Sequence, residues 1–274
     1  MIRINLYTLL YLVLLISISE PSVAAQDVVK VCGEEYPPYS FSKTDDKGQP
    51  TRELTGATVD FFEEASKQSH FDFQITLMPW AGCVASVANY KGEGDFEMFI
   101  DATSNSERLA KFLPSDAMYK TQNGLFYSYN KFSEKLSDIS IKTLEGKTFC
   151  GLLGNNQEWL TKLGIPQHLI NYDFTNLSAL FKQTRAGYCD FAAYSFEIVM
   201  GQVFIKKLAL SDDINFVEFP KNNGQANLFY HWVSKSSPSR QQIIEILNRQ
   251  KVQLEGGAYE NIYRRYLPNG SGLQ

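Results

Sequence analysis

Short apolar runs rich in β-branched and aromatic residues alternate, for most of the chain, with segments whose apolar positions recur three and four residues apart. Such alternation is the pattern of an α/β protein, in which helices pack against sheets. Residues 28–32 are predicted as the first strand, and KTDDKGQPTRE (43–53) as a surface hairpin loop in which Asp-Lys-Gly supplies the turn chemistry. After Gly56, ATVDFFEEASKQS gives Val59, Phe61, Phe62 and Ala65 helical spacing, and FDFQITLMPW returns as a strand. AGCVASVANYKGEG reads as a short helix ending at glycines, and DFEMFI as the next strand. Further on, GLFYSY, KTFCGLL, YCDFAAY, INFVEF and ANLFYHWV read as strands. NLSALFKQTRAG, with Asn176 near its start, SFEIVMGQVFIKK, SRQQIIEILNRQKVQLEGG and AYENIYRRYL read as helices. No internal repeat or low-complexity tract interrupts the order.

One stretch breaks the pattern. In VKVCGEEYPPYSF a run that begins as a buried strand passes into Tyr36, Pro37, Pro38 and Tyr39. Two prolines carry no amide donor and fix φ, so the chain leaves the sheet there and stays extended. A rigid loop flanked by tyrosines suits a packed corner and suits the wall of a binding site. Tyr39 and Phe41 are read as core.

The N-terminus sets the compartment. Arg3 is followed by an apolar run over residues 6–18 and then by SEPSVAAQD, where Val23 and Ala25 suit the −3 and −1 positions of a signal-peptidase site. Residues 1–25 are therefore read as a cleaved secretory signal, the run being short against the roughly 20 residues a spanning helix needs. No later stretch is long enough to span, and no cysteine marks the cleavage point, so a soluble periplasmic protein without a lipid anchor is expected. Loss of Arg3 and Glu20 together leaves the formal net charge at −4. That weak acidity is no footprint for nucleic acid, and Arg264-Arg265 reads as a solvated helix face. A hydrophobic content of 44% supports a real core.

Four cysteines in an exported chain favour two disulfides over metal ligation. There is no CxxC pair, and His70, His168 and His231 lie far apart, so neither a metal site nor a cofactor is expected. Three connectivities remain open at this level.

The pieces YPPYSF, GATVDFFEEA, MPWAGCVASV, GDFEMFIDATSNSERLAKFLPSDAMY, LEGKTFCGLLGNNQEW and LEGGAYENIYRRYL follow one another over nearly the whole exported chain. In that order they resemble the family 3 extracytoplasmic solute-binding proteins, the polar amino-acid-binding type that serves bacterial ABC importers. The resemblance implies a type II two-lobed α/β fold, each lobe a sheet flanked by helices, joined by two crossover strands that act as a hinge. Residues 26–119 would open the first lobe, residues 120–222 form the second and residues 223–274 return to the first, with crossings near residues 120–123 and 220–225. On that division Cys32 and Cys83 share the first lobe and Cys150 and Cys189 the second. The pairs Cys32–Cys83 and Cys150–Cys189 are then expected, because a bridge between lobes would oppose closure.

The resemblance also implies a cleft. Tyr36 and Trp80 match its aromatic walls, Trp80 having an alternative role as an aromatic packed under the helix start. Arg108 matches the arginine that takes a ligand carboxylate, a task its planar guanidinium suits through two parallel charge-assisted bonds, with Thr103 beside it. Asn155, Asn156 and Gln157 match a turn whose donors meet the carboxylate, and equally suit a helix cap. Asp101 departs from the family's small polar residues; it is read either as the partner of a ligand ammonium or as the partner of Arg108 in an empty site. Ser195 occupies the position where amino-acid binders commonly place an aspartate for the ammonium, and Glu197 is poorly aimed to replace it. The leading expectation is a monomeric, non-enzymatic binder of a small carboxylate-bearing solute that presents its closed form to an ABC permease. A free-standing receptor for a membrane sensor and a dehydratase-like enzyme on the same fold are the alternatives.

Overall fold

The computed structural model describes residues 26–132, 135–136, 139–156, 158–219, 227–254 and 265–266. The expected signal segment, Gln157, the second crossing at residues 220–225 and all of AYENIYRRYL except Arg265 and Tyr266 lie outside the described residues. In chain order come β1 (Asp27–Gly33), β2 (Phe41–Thr44), β3 (Pro50–Thr55), α1 (Ala57–Lys67), β4 (Phe71–Leu77), α2 (Trp80–Ala88), β5 (Met98–Thr103), α3 (Ser106–Lys111), β6 (Phe112–Pro114) and β7 (Tyr119–Thr121). Then follow β8 (Asn123–Ser128), β9 (Phe149–Leu152), α4 (Glu158–Lys162), β10 (Ile170–Phe174), α5 (Leu177–Arg185), β11 (Phe191–Ser195), α6 (Phe196–Phe204), β12 (Ile214–Glu218), β13 (Asn227–Ser234) and α7 (Arg240–Leu254).

Two mixed sheets flanked by helices make an α/β architecture of two lobes. The first sheet has the order β4-β1-β5-β13-β6, parallel across β4, β1 and β5 and antiparallel where β13 meets β5, β6 and β7. The second has the order β10-β9-β11-β8-β12, parallel across β10, β9 and β11 and antiparallel where β8 meets β11 and β12. The chain leaves the first sheet at Thr121 and enters the second at Asn123. Because β13 lies inside the first sheet, that lobe draws on both sides of the chain segment that forms the second.

Sequence dictates most of these elements locally. β1 is covered on both faces and flanked by β4 and β5, which is why Val29, Val31 and Cys32 are all buried instead of alternating. On α1, Val59, Phe61, Phe62 and Ala65 are buried, and the two phenylalanines and Ala65 pack with Phe71, Phe73, Ile243 and Leu247. Asn176 caps α5, its Oδ1 accepting the Ala179 N–H at 2.9 Å. In the 43–53 stretch, Asp45 Oδ1 accepts the Lys47 and Gln49 N–H groups at 2.9 and 2.8 Å and turns β2 into β3. β6, β7 and β10 have no counterpart in the sequence reading. They are three to five residues long and form where β13 and β9 offer them a free edge.

Cys32 of β1 is bonded to Cys83 of α2, and Cys150 of β9 to Cys189 ahead of β11, with Cα separations of 5.6 and 5.9 Å. Both bridges stay within one lobe. In the chain-entropy model, loops of 51 and 39 residues stabilise by on the order of 4 kcal/mol each.

Candidate functional site

Where the two sheets face each other, the end of β5 and the Tyr36 loop meet the turn after β9 and the end of β11, enclosing a polar cleft. The cavity there is about 60 Å³.

Arg108 is its fixed cation. Asn105 caps α3 by accepting the Arg108 N–H at 2.8 Å, which aims the side chain back along β5. Nη1 donates to the Thr103 carbonyl at 2.6 Å and to Thr103 Oγ1 at 3.2 Å, and the guanidinium stands 5.2 Å from the centre of the Trp80 ring. Burial brings Arg108 down to about 10, so it remains charged at neutral pH. With both bonds leaving from Nη1, Nη2 and Nε face no acceptor among the described residues.

The second lobe closes over this end. Asn156 Nδ2 donates to Thr103 Oγ1 and the Ser104 carbonyl at 3.1 and 3.0 Å, while its Oδ1 accepts the Glu158 N–H that opens α4. Asn156 thus joins the first turn of α4 to the end of β5 in the other lobe. Asn155 Nδ2 donates to the Tyr194 hydroxyl at 3.2 Å, and Trp80 Nε1 donates across the cleft to the Gly154 carbonyl at 3.2 Å. Trp80 also meets Phe99 edge-on at 5.6 Å, so it is packed beneath as well as exposed to the cleft.

Tyr36 is held by a tight turn around the prolines: its N–H donates to the Ser40 carbonyl at 2.6 Å and its own carbonyl accepts from Tyr39 at 2.9 Å. Tyr39 stacks on Tyr119 at 3.8 Å and Tyr119 on Phe229 at 4.9 Å, with Tyr36 leaning on Phe229 at 5.7 Å. YPPY is thus both corner and wall: Tyr39 is the corner, 1% exposed, and Tyr36 the wall.

Asp101 does not pair with Arg108, which corrects one of the two roles open to it. Its carboxylate accepts hydroxyl bonds from Ser40 at 2.8 Å, Thr58 at 2.7 Å and Tyr119 at 3.1 Å. Burial pushes Asp101 up to about 6 even though all three hydroxyls favour the charge. The residue sits at φ 57, the left-handed region, where its N–H meets His231 Nδ1 at 3.5 Å. His231 is fully buried against Phe61 and Phe62, and burial holds it down at about 3, hence neutral.

Ser195 belongs to a neutral knot at the base of the cleft. Its Oγ accepts from Thr121 Oγ1 at 3.0 Å and Asn227 Nδ2 at 3.2 Å and lies 3.5 Å from Asn123 Oδ1. Glu197 is turned away, both its oxygens accepting the Gln122 N–H at the crossing, at 3.0 and 2.9 Å. Sequence reasoning missed Glu34, Tyr194, Asn227 and Phe229, which also line the cleft. Asn227, Phe229 and His231 alternate along ANLFYHWV, a period-two signal that marks one face of a strand without telling cleft from core.

The lobes touch elsewhere too. Lys207 forms an ion pair with Glu35, and a Cβ added at Gly201 of α6 would lie 2.3 Å from the Pro37 carbonyl oxygen. Gly201→Ala is therefore expected to hold the lobes apart and weaken ligand affinity by about tenfold, within the roughly 1–3 kcal/mol typical of overpacking. Calorimetric titration checks this, and affinity unchanged within twofold would show that the contact does not govern closure.

The model of the family described as bacterial extracellular solute-binding proteins, family 3, matches residues 29–269. No curated protein matches the sequence. Among solved structures, a histidine kinase sensor domain with similarity to periplasmic binding proteins superposes with a TM-score of 0.68 at 14% identity, over 89% of this chain and 97% of that one. The amino acid ABC transporter substrate-binding protein AbpA from Streptococcus pneumoniae Canada MDR_19A, solved bound to L-arginine, gives 0.67 at 17% identity over 87% and 94%. The substrate binding protein of an amino acid ABC transporter gives 0.66 at 19% identity over 87% and 98%. At these identities the likeness establishes the fold.

Proposed function

This chain belongs to family 3 of the bacterial extracellular solute-binding proteins, and from that premise we propose that it captures a small carboxylate-bearing solute, an amino acid or a relative of one, for ABC-type import. The observation that carries the reading is Arg108: a buried cation lining the cleft, steadied by Thr103 and Trp80, whose Nη2 and Nε meet no acceptor among the described residues, with Asn155 and Asn156 on the cleft's other side. A carboxylate entering there exchanges water for a bidentate charge-assisted pair, and the lobe-to-lobe bonds form around it. The moving parts are residues 26–119 with 223–274, and residues 120–222, hinged at the crossings. We read the site as binding and not catalytic, since Asp101 is engaged by three hydroxyls and Glu197 by the hinge backbone.

The protein would act in the periplasm as a monomer once residues 1–25 are removed, delivering its ligand to a membrane permease. No helix among the described residues is long and apolar enough to cross a membrane. The likeness to a histidine kinase sensor domain supports a second reading, in which the closed form signals to a membrane partner.

A thermal-shift screen of residues 26–274 against amino acids, polyamines, dicarboxylates and aromatic acids tests the capture. A ligand binding only the folded state at 100 times its Kd adds about 2.7 kcal/mol, which raises Tm by about 5 to 10 °C in a domain of this size. Stabilisation confined to polyamines, with no carboxylate active, would refute the reading.

A further inference from the structure

The lobes meet outside the cleft as well as across it. There Glu35 of the first lobe and Lys207 of the second form their ion pair, and both line a second cavity, of about 210 Å³, and not the cleft. Among the described residues every other ion pair stays within one lobe, so this is the one charged link between the two. The bonds that cross at the cleft, from Trp80 to Gly154 and from Asn156 to Thr103 and Ser104, are neutral.

Both charges are placed before they meet. Glu35 Oε1 accepts the Ser42 N–H at 3.0 Å, which ties the carboxylate to β2. Just past the end of α6, Lys206 takes the left-handed region at φ 60, and the Lys207 and Leu208 N–H groups both return to the Gln202 carbonyl, at 3.0 and 3.1 Å. Leu208 is buried in an apolar cluster that includes Tyr39 and Ala57 of the first lobe. Lys207 is therefore held between a closed helix end and an anchored neighbour, which lowers the loss of freedom that makes most surface pairs weak. At 22% and 33% side-chain exposure, Lys207 and Glu35 are also partly shielded from screening by salt.

We propose that Glu35 and Lys207 are positioning residues for closure: an ionic latch that sets the ratio of closed to open protein before any ligand arrives, and makes that ratio respond to ionic strength. The use of closure rests on the capture reading above, whereas the latch itself needs no ligand. A protein whose ligand-holding form is only partly populated binds more weakly by that fraction, so salt that weakens the latch weakens capture.

Single-molecule energy transfer on residues 26–274 without ligand measures the ratio. Dyes are attached through keto side chains introduced at Lys47 and Lys142, exposed positions of the first and second lobes, which spares the bridged cysteines. Between about 0.01 and 1 M sodium chloride the screening length shrinks from about 30 to about 3 Å. Over that range the wild type is expected to lose about threefold in its closed-to-open ratio, within the span typical of partly exposed pairs. Glu35→Gln, which can still accept the Ser42 N–H, and Lys207→Gln are each expected to start near the wild type's high-salt value and to respond little to salt, and the double variant to match either single one. A merely structural role for either side chain would lower the ratio and leave its salt response intact. Gly201→Ala shows that pattern by design: crowding the Pro37 carbonyl should lower the ratio and keep the wild-type response. A wild-type ratio indifferent to salt, neutral variants that keep the wild-type response, or a double variant whose loss is the sum of the two single losses would overturn the latch. If the latch responds as expected while no carboxylate stabilises the protein in the thermal-shift screen, capture fails and the latch stands.

Discussion

Arg108→Ala is expected to weaken capture of a carboxylate ligand by two to three orders of magnitude. Truncating one partner of a desolvated, hydrogen-bonded charge pair costs about 2–5 kcal/mol, and each 1.4 kcal/mol is about a tenfold change in affinity. The loss falls mainly on the complex. In the free protein the guanidinium makes two bonds to Thr103 and one ring contact, partly offset by the burial that draws it down to about 10. Unliganded Tm should therefore move by only a few degrees. Arg108→Lys keeps the charge but loses the planar fork and should fall between the two. Calorimetric titration of the wild type and both variants checks the order, and an Arg108→Ala affinity within threefold of wild type would remove Arg108 from the site.

The second large effect concerns stability. Asp101 titrates at about 6 in the folded protein against 3.8 in the free side chain, because burial disfavours the charge more than Ser40, Thr58 and Tyr119 restore it. Below about pH 4 both folded and unfolded chains hold the proton, and the group's contribution to stability is fully present. As pH rises toward 6 the unfolded chain releases its proton first, so stability falls across that window. By pH 7.5 the loss reaches on the order of 3 kcal/mol.

Asp101→Asn should recover much of it. The amide oxygen can accept from Thr58 and Tyr119, which already share Oδ1, and the amide nitrogen can donate to Ser40 Oγ, whose hydrogen then serves the Glu34 carbonyl at 3.3 Å. Asparagine also tolerates the left-handed backbone. Urea unfolding should find Asp101→Asn more stable than wild type at pH 7.5 by up to about 3 kcal/mol, with the gap closing by pH 4. A variant that is less stable at pH 7.5 with an unchanged pH slope would show that Asp101 is not the source of the pH dependence. A carboxylate kept at a cost to neutral-pH stability, on a strained residue lining the cleft, marks a position where folding and function pull apart.

Much of this protein was determined by the sequence alone. The alternation of short apolar runs with helical periodicity predicted the α/β class, the stripe of Val59, Phe61, Phe62 and Ala65 predicted the buried face of α1, and Asn176 predicted a helix start. These are local signals, because burial on one face and capping of free N–H groups act within a few residues. The resemblance to the family, carried by the order of its motifs, implied a cleft with Arg108, Asn155, Asn156, Tyr36 and Trp80, and the folded chain lines one cleft with all five. Tertiary structure alone decided which groups engage Asp101 and Ser195. The hydroxyls that occupy Asp101 come from the Tyr36 loop, α1 and β7, and the groups around Ser195 come from β7, β8 and β13. No spacing along the chain encodes those meetings, because they depend on sheet order and on the approach of two lobes. A buried charge is set by whatever arrives beside it, and that is known only once the chain has folded.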